Sequence, residues 1–151
     1  MFTSFKYLLN HSISRNIRDM ILTKLFNKYF GDEEDFANTL YFSWEQAQEM
    51  QSAGMVIGGH SNNHVSMASL DIKEQEEDIS LCKNAISENI NSQNLLPFSF
   101  PYGKTDSFNS HTIRVLKSCG FDCSFSTNPG YTKSGDDIYS LTRQDVRSPT
   151  L

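Results

Sequence analysis

The chain has 151 residues, of which 38% are hydrophobic and 21% are charged, and its formal net charge at pH 7 is −5. This length and composition indicate one globular domain with a hydrophobic core. The negative charge and the lack of a dense Lys/Arg cluster argue against a nucleic-acid partner or an anionic membrane surface. No apolar run approaches the roughly 20 residues of a transmembrane helix, so we expect no membrane span.

Cysteine content and the N-terminal sequence bear on the compartment. Cys82, Cys119 and Cys123 make neither a disulfide framework nor a CxxC motif, so we expect three reduced thiols. The apolar stretch among the first residues is too short and too interrupted to be the apolar region of a signal peptide. The compartment stays open, with a cytoplasmic location favoured.

Residues 1–42 are predicted to be helical. Gly31 is a typical end for a first helix, and the acidic residues 32–35 are typical of the start of a second, short helix. The apolar residues of the first helix recur at helical spacing after Ser14: Ile17, Met20, Ile21, Leu25 and Phe26.

Three further helices are predicted downstream. A capping-box pattern at 43–46 predicts a helix over 44–52, and a second one at 71–74 predicts the longest helix, through about residue 89. Residues 109–118 form an amphipathic pattern that Gly120 ends. The expected inner stripe of the long helix is Ile72, Ile79, Cys82, Ile86 and Ile90.

Short apolar segments between these helices predict strands. Residues 55–57 read as a buried strand, and 95–100 and 121–126 as the next two. Residues 138–146 are a last extended segment in which alternation places Arg143 and Asp145 on one face. The order is that of a βα protein, and such folds place their sites at the carboxyl ends of the strands.

Two histidines follow the first of these strands directly. Gly58 and Gly59 let the backbone turn, and His60 and His64 come next, four residues apart. If His64 opens a helical turn, both imidazoles lie on one side, where they suit a borderline metal such as zinc. For an isolated HxxxH pattern, two surface or capping histidines are the simpler interpretation.

Several blocks of the sequence together resemble the polysaccharide deacetylase family. Gly54-Met-Val-Ile-Gly-Gly-His-Ser-Asn-Asn-His64 resembles the metal-ligand region of that family, and Phe98-Ser-Phe-Pro-Tyr-Gly103 resembles its next motif. Leu141-Thr-Arg-Gln-Asp-Val146 resembles a segment near the end of its shorter members. Residues 25–36 look like a helical insertion that some members carry, so the resemblance covers nearly the whole chain.

The resemblance implies a fold and a reaction. The fold is α/β, a partial, distorted (β/α) barrel with an N-terminal helical insertion. The reaction is the metal-dependent removal of N- or O-acetyl groups from an acetylated carbohydrate substrate, with a divalent metal, most simply zinc. The residue roles that it implies are metal ligation by His60 and His64, loop support by Ser61, an oxyanion-binding N–H at Tyr102, and a backbone fixed by Pro101 and Gly103.

Two positions depart from the family pattern. Ser99 stands where many members have an arginine that orients the catalytic base, and Arg143, with Asp145 on the same face, is the candidate for that role. A plain salt bridge or a loop hydrogen bond is an equal alternative for Arg143. The Asp-Asp pair that supplies the family's base and its third metal ligand has no counterpart in residues 1–42.

These two departures from the family pattern lead us to expect an incomplete catalytic domain. We expect 1–42 to be the helical insertion and 43–151 an incomplete, truncated catalytic domain that needs a missing N-terminal segment or a complementing chain. Asp106 and Asp145 are the other acids expected near the site, and an ordinary loop residue and an ion-pair residue, respectively, are their simpler interpretations. The alternative function is a non-catalytic glycan- or metal-binding remnant of the same fold.

Overall fold

The computed structural model of the chain describes Leu9 and residues 12–144. The described residues form two compact units, one ending at Ser43 and the other beginning at Trp44. Across residues 12–144, no helix combines the length and the apolar character that crossing a membrane requires.

The first unit contains two helices. Helix α1 (Arg15–Phe30) ends at Gly31, which has a φ of 83°, and helix α2 (Glu33–Leu40) follows. The Asp32 carboxylate caps α2 by accepting the N–H groups of Glu34 and Asp35. Both helices are confirmed. The contact between them is aromatic, with ring centroids 5.1 to 5.3 Å apart among Phe26, Phe30 and Phe36.

Three helices of the second unit are also confirmed. Helix α3 spans Trp44–Ser52, helix α4 spans Ile72–Asn89 and helix α5 spans Ser110–Ser118. Both α4 and α5 begin with a capping box, built on Asp71 and on Asn109 respectively. A single 3-10 turn, Met67–Ser69, precedes α4.

A three-stranded parallel sheet lies beside these helices. Its strands are β1 (Pro97–Ser99), β2 (Cys123–Pro129) and β3 (Leu141–Arg143), in the order β1-β2-β3. Strand β2 extends through Asn128 and Pro129, beyond the end of the predicted strand at residue 126. The class is therefore mixed α/β, with three parallel strands and helices.

The predicted buried strand at 55–57 is wrong. Met55 and Val56 are 58% and 50% exposed, and only Gly59 pairs with the sheet, through one parallel bridge to Phe98. Strand β1 begins at Pro97, which has no N–H and therefore cannot donate to the Ile57 carbonyl. The Gln93 side chain takes that place, since its Nε2 donates to the Ile57 carbonyl at 2.5 Å and its Oε1 accepts the Ile57 N–H at 3.2 Å.

The core of the second unit is aromatic at its centre. The Phe98 ring packs against the rings of Phe100 and Phe121, with centroids 5.6 and 5.2 Å away. The predicted inner stripe of α4 is confirmed at Ile79, Cys82, Ile86 and Ile90, all of which are buried. It is wrong at Ile72, which is 57% exposed, because the first turn of α4 packs inward through Gln75 instead.

Candidate active site

His60 and His64 lie together, by a different route from the predicted helical turn. The chain leaves the Gly59 bridge and turns through two left-handed residues, Ser61 with a φ of 63° and His64 with a φ of 49°. The centroids of the two imidazole rings are 4.9 Å apart, with an angle of 68° between the ring planes. The loop brings the two rings to one side without any helix.

A hydrogen bond fixes the orientation of the His60 ring. Its Nδ1 lies 2.7 Å from the carbonyl oxygen of Ser99 at the end of β1. Because a carbonyl oxygen only accepts, the proton belongs on Nδ1, and a neutral ring then keeps its lone pair on Nε2. Histidines that bind metals are commonly oriented in this way, with the second ring nitrogen donating to a carbonyl or carboxylate.

Ser61 and Asp78 hold the loop between the histidines. The Ser61 hydroxyl oxygen accepts the His64 N–H at 2.8 Å, which is the kind of contact that its sequence-based role requires. The Asp78 carboxylate accepts the N–H groups of Asn62 and Asn63 at 2.9 and 3.0 Å, and the Asn63 side-chain amide at 2.9 Å.

Sequence reasoning missed Asp78. Its signal was an acid on the inner face of α4, one turn before Cys82 and next to Ile79, at a position where an apolar residue is expected. The Asp78 side chain is 3% exposed. A buried carboxylate in an amphipathic stripe calls for hydrogen-bond donors, and the histidine loop supplies them.

The Pro101-Tyr102-Gly103 loop lies beside the histidines. Tyr102 has a φ of 63°, and the Gly103 N–H donates to the Pro101 carbonyl at 2.7 Å, which closes a three-residue γ-turn. The Tyr102 ring is 5.4 Å from the His64 ring, centroid to centroid. Within residues 12–144 no acceptor engages the Tyr102 N–H, while Pro101 beneath it is fully buried.

Thr127 on β2 holds this turn from the other side, and sequence reasoning missed it too. Its N–H donates to the Gly103 carbonyl at 2.8 Å, and its hydroxyl donates to the Tyr102 carbonyl at 2.9 Å. A Cβ added to Gly103 would lie 2.7 Å from Thr127 Cγ2. Nothing in the sequence distinguishes this threonine, because its role depends on the sheet register.

Among residues 12–144, no contact joins Arg143 or the nearby acids to His60 or His64. Arg143 Nε donates to the Ser126 carbonyl at 3.1 Å, which is the loop-type hydrogen bond foreseen as an alternative. Asp145 lies outside the described residues. Asp106 is exposed in the loop after Gly103.

The donor set for a metal consists of the two imidazoles. Within the described part of the chain no group of three or more His, Cys, Asp and Glu side chains could hold a metal ion. Cys82 lies beneath the loop, and burial raises the pKa of its thiol more than the backbone N–H groups of His60 and Ser61 lower it, so it stays protonated. The two imidazoles fit two positions of a tetrahedral zinc shell, and the remaining ligands must come from elsewhere.

Comparison of the sequence with models of protein families identifies the family of this chain. The family model described as polysaccharide deacetylase matches residues 9–124, which is most of the chain. The chain belongs to the polysaccharide deacetylase family. YxkH of Bacillus subtilis (strain 168), whose name assigns it to the same family, is 26% identical over 102 residues, covering 68% of the chain and 35% of YxkH.

Solved structures of deacetylases share the fold. The Streptococcus pyogenes deacetylase PplD, in complex with acetate, superposes with a TM-score of 0.62 at 20% identity, over 68% of this chain and 44% of PplD. A de-N-acetylase from Aggregatibacter actinomycetemcomitans gives 0.57 at 20% identity, over 70% of this chain and 48% of its own. The chain thus spans about a third to a half of the length of the family members that it matches.

Proposed function

We propose that this chain contributes the histidine half of a metal-dependent deacetylase site, which hydrolyses N- or O-acetyl groups of an acetylated carbohydrate. The observation that carries the proposal is the convergence of the His60 and His64 rings, 4.9 Å apart, with His60 oriented by Ser99. Membership of the polysaccharide deacetylase family supports the class of reaction.

His60 and His64 would hold a divalent metal, and zinc suits nitrogen donors best among the common candidates. Bound there, the metal would supply Lewis acidity toward the acetyl carbonyl and the attacking water. The chain's own part is to present His60 Nε2 with its lone pair free, since Ser99 occupies the other ring nitrogen.

Tyr102 would stabilise the transition state through its backbone. Its N–H is engaged by no acceptor among the described residues and belongs to a turn beside His64. A rigid N–H donor aimed at the developing oxyanion contributes typically 10²- to 10³-fold in rate. Pro101 and Gly103 would keep that N–H in place, with Thr127 holding the two carbonyls of the turn.

The catalytic base and the remaining metal ligand would come from residues outside the described ones, on a further segment of the polypeptide or on a second chain. The backbone at Val56 and Gly58 supports this. Ile57 and Gly59 use their N–H and C=O groups in hydrogen bonds to Gln93 and β1, whereas those of Val56 and Gly58 have no hydrogen-bond partner within residues 12–144. Another strand paired there would extend the open sheet toward a (β/α) barrel.

Arg143 would orient that base, with Asp145 as its neighbour. Arg143 is exposed, and among the described residues only its Nε is bonded, to Ser126, so neither terminal guanidinium nitrogen is engaged by a described residue. Residues 1–42 would then be a helical insertion, and 43–151 the catalytic domain without the strand that carries its acids.

The first test is the zinc content of the purified chain, compared among wild type, His60→Ala and His111→Ala. His111 lies on α5 and is the matched control, a histidine replaced outside the site. We expect about one zinc per wild-type and His111→Ala chain, and a loss of at least about tenfold in zinc affinity for His60→Ala. Equal zinc in all three would contradict the proposed ligands.

Acetate release from N-acetylglucosamine oligomers then distinguishes the two functional alternatives. Activity in the wild-type chain that disappears in His60→Ala supports hydrolysis. Zinc binding without acetate release, from this chain and from a longer polypeptide that contains it, would favour a non-catalytic glycan- or metal-binding module.

A further inference from the structure

The loop between the two histidines is bound to one buried acid. Asn62 and Asn63 are the central residues of that loop, and both donate their backbone N–H to Asp78. The Asn63 side-chain amide adds a third hydrogen bond. Three donors therefore converge on one carboxylate directly behind the histidine pair.

These three donors satisfy the hydrogen-bonding needs of the buried Asp78 side chain. Its side chain is 3% exposed, and no Lys, Arg or His forms an ion pair with it in the part of the chain that the structure describes. A buried carboxylate is costly unless it is hydrogen-bonded, and hydrogen bonds to a charged acceptor are about twice as strong as neutral ones. The carboxylate and the loop therefore stabilise each other.

The backbone of the loop depends on such an anchor. Ser61 and His64 flank the two asparagines and have positive φ values of 63° and 49°. Each such residue costs on the order of 1–2 kcal/mol relative to a right-handed conformation, so an isolated loop of this sequence would not hold both. Asp78 sits in the interior of an 18-residue helix, which gives the loop a rigid support.

We propose that Asp78 is a positioning residue, which fixes the loop so that the His60 and His64 rings converge on one metal. This inference rests on the proposed function and deepens it, because it assigns the preorganisation of the two ligands to a residue that touches neither ring. The geometry requires the carboxylate itself, since each of its oxygens accepts from the loop. Asp78→Asn would present at least one N–H to a donor.

Nuclear Overhauser effects (NOEs) between the His60 and His64 ring protons, recorded on the full chain without metal, test convergence directly. The ring separation of 4.9 Å predicts a measurable effect in the wild type. We expect it to be lost in Asp78→Asn, partly recovered in Asp78→Glu, and unchanged in Glu77→Gln. Glu77 is the matched control, the neighbouring and exposed acid of the same helix.

A second variant guards against a failure of Asp78→Asn to fold. Asn63→Ala removes one donor from an exposed residue and leaves Asp78 with two hydrogen bonds, so the fold is retained and a weakened NOE is expected. An NOE that is undiminished in Asn63→Ala and in folded Asp78→Asn would overturn the inference, as would its absence from the wild type.

Zinc affinity separates this inference from the function on which it rests. If the wild type binds zinc, we expect Asp78→Asn to bind it at least about tenfold more weakly, with Glu77→Gln unchanged. If the wild type shows the ring NOE and loses it in Asp78→Asn but binds no zinc, the positioning role stands and the proposed metal function fails.

Discussion

Three residues other than glycine have a positive φ in the described part of the chain, and all three belong to the candidate site. They are Ser61 and His64 in the histidine loop and Tyr102 in the neighbouring turn. Backbone strain of this kind is kept only where the surroundings over-determine it, and it concentrates at functional sites. Asp78 and Thr127 are those surroundings, since Asp78 holds the histidine loop through three hydrogen bonds and Thr127 holds the Tyr102 turn through two.

Gly103→Ala tests how rigid the Tyr102 turn is. The φ of 65° at Gly103 disfavours alanine, and the new Cβ would lie 2.7 Å from Thr127 Cγ2 and 2.8 Å from Thr127 N. We expect a fall in the free energy of unfolding of about 2–4 kcal/mol, from backbone strain plus the displacement of β2 or of the turn. Urea unfolding measures it.

Gly120→Ala is the control for Gly103→Ala. Its φ of 80° carries a similar backbone penalty, but a Cβ there would meet no atom within 4 Å. We expect it to cost only about 1–2 kcal/mol. If the two substitutions cost the same, the turn moves away from Thr127 freely, and a preorganised N–H at Tyr102 loses its support.

At the scale of elements, local signals located the helices well and the strands less well. Capping residues and helical periodicity predicted α4 and α5 to within a residue or two, because these signals lie within the element itself. The strand predicted at 55–57 failed because its partner is a glutamine side chain, Gln93, and not a backbone.

The same contrast, between signals within one segment and contacts with distant segments, applies to the candidate site. The histidine pair and the Tyr102 turn were predictable because each is a contiguous motif with its own backbone requirements. The residues that hold them were not, since Asp78 and Thr127 are joined to them only through the packing of α4 and the register of β2. Arg143 was a candidate because of the family resemblance, on one face with Asp145 in the segment 138–146, and the structure gives it a backbone acceptor, Ser126.

Tyr139 links the segment before β3 to the sheet, and its removal gives a pH-dependent prediction. Its hydroxyl donates to the Phe121 carbonyl at 2.7 Å, so Tyr139→Phe should cost about 1 kcal/mol of unfolding free energy near neutral pH. Burial raises the pKa of the Tyr139 phenol above its ordinary value of 10.0, and the charges of Asp122, Cys123 and Asp137 act in the same direction.

The sign of the pH effect follows from that raised pKa. Above pH 10.0 the unfolded chain loses the phenol proton while the folded chain keeps it, so the contribution of Tyr139 is present below that pH and falls as the pH rises. We expect the stability difference between wild type and Tyr139→Phe to shrink between about pH 9 and about pH 11. Urea unfolding across that range checks this, and a difference that grows with pH would be inconsistent with the raised pKa of the partly buried Tyr139 phenol.

At the scale of the whole molecule, the two units differ in how much they bury. The second unit has a core centred on Phe98, Phe100 and Phe121, whereas no described side chain of α1 or α2 is buried. Opening free energies follow buried apolar contact and protected backbone. The units are therefore expected to differ in local stability.

Hydrogen exchange followed by mass spectrometry measures this difference. We expect the amides of α1 and α2 to exchange at least about tenfold faster than those of α4, which corresponds to at least about 1.4 kcal/mol in opening free energy. If α1 and α2 were as well protected as α4, in dilute and in concentrated samples alike, the prediction would be contradicted. Protection of α1 and α2 that rises with concentration would instead show that their exposed apolar residues, among them Ile17, Met20 and Leu40, are covered by a second copy of the chain.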